Sequence, residues 1–148
     1  MKPITKPVLI ALLCLTSAVS FSQAAKTEVF AQFPETINIS KSELSQSLTV
    51  AEGAAVTLRF SDLVITGRVI ANVQKYDNLQ SMVIKADGFA NALFHLSKVT
   101  NKDNSISYIG RILSDEAADG YDITTDAAGN YQLKKVQQEN LLQPCDQQ

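Results

Sequence analysis

The chain has 148 residues, 45% hydrophobic and 19% charged, which is enough apolar material for one domain with a buried core. Thirteen basic and fifteen acidic side chains leave a formal charge of −2, too small and of the wrong sign to hold a polyanion by counterion release, so no nucleic-acid partner is expected. One His, two Cys and no Trp exclude a zinc cage built only from Cys and His, which takes four N or S ligands.

The first element in chain order is an address. Lys2 and Lys6 precede an apolar run from Val8 to Val19, and Ser22-Gln23-Ala24 offers small residues at a cleavage site. Residues 1–24 are expected to be a secretory signal peptide, and the protein to be exported to the periplasm or the extracellular space. The run falls short of the roughly 20 residues that span a bilayer, and no later stretch is long and apolar enough, so no transmembrane segment is expected. Bulky Leu13 stands before Cys14, where a lipoprotein signal requires a small residue. Cleavage removes Lys2, Lys6 and Cys14, which leaves Cys145 without an intramolecular partner.

Thr36–Ile39 is a candidate short strand, and Ser40-Lys41-Ser42-Glu43 fits a capping box ahead of Leu44 and Leu48, one turn apart on one helix face. Glu52-Gly53 ends that helical stretch. From there apolar residues recur at every second position, the mark of strands with one buried face. Ala55–Phe60 sets Val56, Leu58 and Phe60 against Thr57 and Arg59. After a turn at Ser61-Asp62, Leu63–Gln74 sets Leu63, Ile65, Val69, Ala71 and Val73 against Thr66, Arg68, Asn72 and Gln74. Lys75 to Asn78 turn the chain into Leu79–Ala86, and Asp87-Gly88 predicts a two-residue hairpin leading to Phe89–Thr100. Ser105–Leu113, a polar loop over Ser114–Asp119, and a hairpin of Tyr121–Thr125 with Tyr131–Val136 complete the series. Gly67 and Gly110, inside strands, predict bulges or sharp bends. The expected fold is mainly β (α+β at the margin): a curled antiparallel meander or barrel-like sheet of about seven to eight strands with one short N-terminal helix. Residues 25–140 would form this single domain, and 141–148 a flexible C-terminal tail.

Few residues carry reactive chemistry. Gly67-Arg68-Val69 and Gly110-Arg111-Ile112 display Arg68 and Arg111 as candidate contacts to a carboxylate or phosphate, or simply as charges that keep a wet face soluble. His95 falls in phase with Asn91 and Ser97, opposite apolar Ala92, Phe94 and Leu96, and is expected to face solvent with no nucleophile or orienting carboxylate near it in sequence. Asp115, Glu116, Asp119, Asp122 and Asp126 gather around Gly120, but Ala117 and Asp122 occupy positions where a calcium loop wants a ligand and an apolar side chain. No catalytic residue, cofactor or metal ligand is assigned. A carbohydrate- or lipid-processing enzyme, the alternative class, would need His95 or Tyr108 to converge with two or more of these acids. Cys145 is open to three readings: a chance thiol, an intermolecular disulfide in a homodimer or with another protein, or a thiolate offered to a metal in trans.

The segment from Gly67 to Cys145, a strand-rich run closing in the Tyr121–Val136 hairpin and Leu141-Leu142-Gln143-Pro144-Cys145, resembles the prodomains of secreted metalloproteases. The resemblance implies a free-standing inhibitor whose Cys145 ligates the zinc of a partner protease. The residues by themselves point to a small exported, non-enzymatic protein that binds an unknown protein or a small apolar ligand at the concave or open end of its sheet.

Overall fold

The computed structural model describes residues 26–141. The expected signal peptide at 1–24, and Cys145 with the end of the expected tail, lie outside the described residues. Eight antiparallel strands form one sheet curled into a half-barrel, accompanied by one short helix. In chain order the elements are β1 (Thr36–Asn38), α1 (Lys41–Ser47), β2 (Ala55–Phe60), β3 (Leu63–Tyr76), β4 (Leu79–Ala86), β5 (Leu93–Thr100), β6 (Ile106–Leu113), β7 (Asp119–Thr125) and β8 (Tyr131–Gln137). The sheet order is β1-β8-β7-β6-β5-β4-β3-β2, a meander from β2 to β8 with β1 added beside β8.

The local signals that open α1 work as its sequence implies. The Ser40 hydroxyl accepts the N–H of Glu43, and the Glu43 carboxylate accepts the N–H of Ser40 at 2.7 Å, satisfying two donors that a helix start leaves free. Leu44 and Leu48 are buried and share one core with Phe30, Ile37 and the inward-facing strand residues, among them Phe60, Ile65, Met82, Phe94, Ile112 and Leu133. The concave face of the half-barrel is therefore occupied by the protein's own side chains.

β3 departs from its expected pattern. A bulge between Val69 and Ala71 leaves Ile70 without a ladder partner, and a second irregularity falls between Gln74 and Tyr76. The first reverses the alternation: Asn72 pairs with buried Met82 and turns inward, while Ala71 and Val73 turn outward, opposite to the sequence pattern. The inward position suits an amide. Asn72 Nδ2 donates to the carbonyls of Leu48 and Val50 at 2.9 and 2.8 Å, and Gln80 Nε2 donates to Leu48 O and Asn72 Oδ1, both at 3.0 Å. These bonds satisfy carbonyls freed where α1 ends.

Gly67 is not at the bulge. It keeps regular register between Val56 and Ala86, and a Cβ there would stand 2.1 Å from the Lys85 carbonyl oxygen, so its role is a close backbone approach. Gly110 likewise pairs regularly with Leu96.

Asp87-Gly88 does not make the expected two-residue hairpin. The loop continues to Ala92, with Phe89, Ala90 and Asn91 at φ of 52°, 52° and 55°. The cause is tertiary: Phe89 stacks on Phe30 with ring centroids 5.0 Å apart and meets Phe33 edge-on at 5.8 Å. An aromatic cluster built from the N-terminal segment outweighs the local turn preference.

Candidate functional site

With the inner face filled by the core, the side chains left available stand on the outer face, and strand register decides which of them meet. One row across the sheet runs Ala71, Val83, His95, Arg111, Asp122, Lys134. The row on one side runs Arg68, Lys85, Leu93, Leu113, and on the other Val73, Ser81, Ser97, Ile109. Arg59 lies further out on β2, opposite Val64. No Asp or Glu occupies an outer position of β2 through β6. The acids of this region sit at the turns, at Asp62, Asp77, Asp87 and Asp103.

Arg111 is the centre of this arrangement. Its Nε lies 3.3 Å from Asp122 Oδ1 on β7, and it faces His95 directly across the β5–β6 ladder. His95 is held below the usual histidine pKa, first by partial burial and then by the charges of Arg111 and Lys75. The β6–β7 ladder has two residue pairs, Arg111 with Asp122 and Ile112 with Tyr121. Where that pairing stops, the Tyr131 hydroxyl accepts the N–H of Tyr108 at 3.1 Å.

Two hollows flank Arg111. One of about 390 Å³ is lined by His95, Ser97, Ile109, Arg111, Asp122 and Thr124; there the buried Thr124 Oγ1 has no hydrogen-bond partner among the described residues, and Asp122 Oδ1 has the Arg111 ion pair without a hydrogen bond. The other, about 380 Å³, places Lys85, His95 and Arg111 near Asp115 and Glu116. The β3–β4 turn borders a polar hollow of about 100 Å³ lined by Gln74, Asp77, Gln80 and Lys98.

Arg68 and Arg111 are carried on strands three apart, about 14 Å at the usual strand spacing, so one small anion cannot bridge them. Arg68 donates to the Gly53 carbonyl and faces Lys85. His95 and Tyr108 are on opposite faces of the sheet, the first exposed and the second buried beside Tyr131. The five acids around Gly120 are dispersed. Asp115 and Glu116 are exposed, and Asp119 is buried under the N-terminal segment. Asp122 meets Arg111, and Asp126 closes its own turn by accepting the N–H groups of Ala128 and Asn130. No protein family, curated protein or solved structure matches the chain.

Proposed function

We propose that this chain is a small exported, non-enzymatic binding protein whose working surface is the outer face of β2 through β6. One observation carries the proposal: the core fills the concave face, while the outer face exposes aliphatic side chains and cations together with no acid among them. Val73 and Ile109 are 48% and 62% exposed in one row, and Ile70, at the bulge, is 45% exposed. Ile70 and Val73 lie together on β3, Ser81 and Ser97 separate them from Ile109, and exposed apolar side chains bordered by charge favour an interaction site. The separation of His95 from Tyr108, and the separate engagements of Asp119, Asp122 and Asp126, favour binding over catalysis.

A photo-crosslinking side chain placed at Ile109 or Val73 tests this in the compartment where the protein resides. Adducts are expected from both positions and not from Asn130, in the exposed turn between β7 and β8. Adducts confined to Asn130 would assign the working surface elsewhere.

A further inference from the structure

One like-charged pair stands directly opposed on the outer face, and a further cation faces an imidazole. Arg68 faces Lys85 across β3–β4, and the His95 ring faces Arg111 across β5–β6. Like charges in directly opposed positions of a sheet repel. The nearest strand acid beyond these pairs, Asp122 on β7, is already engaged by Arg111. Arg59 extends the cationic array to the edge strand. Val73 and Ile109 expose hydrocarbon beside the charges, and Tyr76, 69% exposed, ends the face opposite Leu79.

Resting on the reading of this face as the working surface, we propose that it docks onto an anionic lipid bilayer, with the cations over the headgroups and Ile70, Val73, Ile109 and Tyr76 at the interface. The breadth of the array is the first reason. From β2 to β6 the cations spread over about 19 Å of sheet, too far apart to converge on one phosphate or carboxylate, so they suit a surface that offers many anionic groups. The aliphatic side chains are the second. They gain nothing against a sugar-phosphate backbone, whereas hydrocarbon beside Lys and Arg is the composition of surfaces that settle at the headgroup–acyl boundary, where tyrosine also partitions.

A second copy of the chain does not fit. A two-fold contact sets a patch against itself, and here that would bring Arg59, Arg68 and Lys85, on strands without an acid, toward the same cations of the second copy. An acidic protein segment fits less well, because the hollows that could take an anchoring side chain have Asp115, Glu116 and Asp122 in their walls.

The test is cosedimentation of the full chain with vesicles of 30 mol% phosphatidylglycerol in phosphatidylcholine, and with phosphatidylcholine alone. The wild-type chain is compared with an Arg68→Gln, Lys85→Gln, Arg111→Gln variant. Residues 1–24 are the same in both, so the difference reads the outer face. Each cation near an anionic leaflet strengthens attachment about fivefold, so the triple variant should bind anionic vesicles roughly 100-fold more weakly. Salt at 0.5 M, where charges are screened beyond about 4 Å, should release the wild type. Because Arg68 also donates to Gly53, Ile109→Asp serves as a second variant, and it should weaken attachment without altering the circular dichroism spectrum. Equal attachment of wild type and both variants, or equal attachment to both kinds of vesicle, would overturn the proposal. If that happens while crosslinks from Ile109 persist, the partner is a protein and the face stands; loss of those crosslinks as well removes both readings.

Discussion

Asp119 accepts the backbone N–H groups of Val29 and Phe30, one on each carboxylate oxygen, at 2.7 and 2.9 Å. The residue is fully buried, so this bond pair fastens the N-terminal segment to the start of β7. Phe30 in turn stacks on Phe89 and meets Tyr121 edge-on at 5.5 Å. Asp119→Ala leaves two donors unpaired, at about 1 to 3 kcal/mol each, and should lower unfolding stability by about 2 to 5 kcal/mol in chemical denaturation. A loss below about 1 kcal/mol would mean the segment is held by its aromatic packing alone.

Tyr121 predicts an alkaline limit to stability. Its hydroxyl donates to the Pro34 carbonyl at 2.6 Å, and its pKa is pushed up to about 12, first by burial and then by the charges of Glu35 and Asp119. Below pH 10 both folded and unfolded chains hold the phenol proton. Between pH 10 and 12 the unfolded chain releases it and the native chain keeps it, so stability falls by about 2 to 3 kcal/mol across that window. Tyr121→Phe should flatten this part of the profile while costing about 1 kcal/mol at neutral pH, where it strands the Pro34 carbonyl.

Gly67 and Gly129 separate two reasons for glycine. At Gly67 an added Cβ meets the Lys85 carbonyl oxygen at 2.1 Å, so the β3–β4 backbone has to move. At Gly129 nothing lies within 4 Å, but φ is +82°. Gly129→Ala should cost about 1 to 2 kcal/mol through left-handed strain alone. Gly67→Ala should cost more, about 3 kcal/mol, as overpacking with backbone displacement does. Thermal melts of the two variants read the order directly.

His95 provides a probe of the outer face. Its titration, followed by NMR, should have a midpoint below the ordinary value of about 6.5. Arg111→Gln should raise that midpoint part of the way, because burial, the larger cause, persists. The sign for stability follows: as pH falls below about 6.5 the unfolded chain takes up a proton before the native one, so stability declines with acidity in that interval. A midpoint unmoved by Arg111→Gln would place the guanidinium's influence elsewhere.

The ends of β2 and β4, and the Ser40–Glu43 cap, were legible because each is written in adjacent residues: strict alternation, or a box closed within one turn. The outer-face array was not. With unbroken pairing back from the turn at Asp77-Asn78, Tyr76 opposite Leu79 would put Arg68 opposite Asp87, an ordinary ion pair. The two irregularities of β3 advance the register and put Lys85 there instead. Nothing near Ile70 announces the first of them; the demand comes from the carbonyls of Leu48 and Val50, whose bonds to Asn72 span more than twenty residues. Net charge hid the same feature, since the turn acids cancel the strand cations in the sum while lying apart from them in space. The sequence marks Arg68 and Arg111 as candidate anion contacts or as solubilising charges, and their cross-strand neighbours are known only from the ladder.

The seam between β6 and β7, with its two residue pairs, makes the half-barrel a pair of plates joined by a narrow hinge. One plate, β2 to β6, carries the cationic array; the other, β7, β8 and β1, carries the Asp119 clasp and the buried tyrosines Tyr121 and Tyr131. Across that crease the plates are tied by side chains: Arg111 to Asp122, and the Tyr131 hydroxyl to the Tyr108 N–H. The two plates also share one core, so the crease is closed by side-chain packing where the backbone ladder is short.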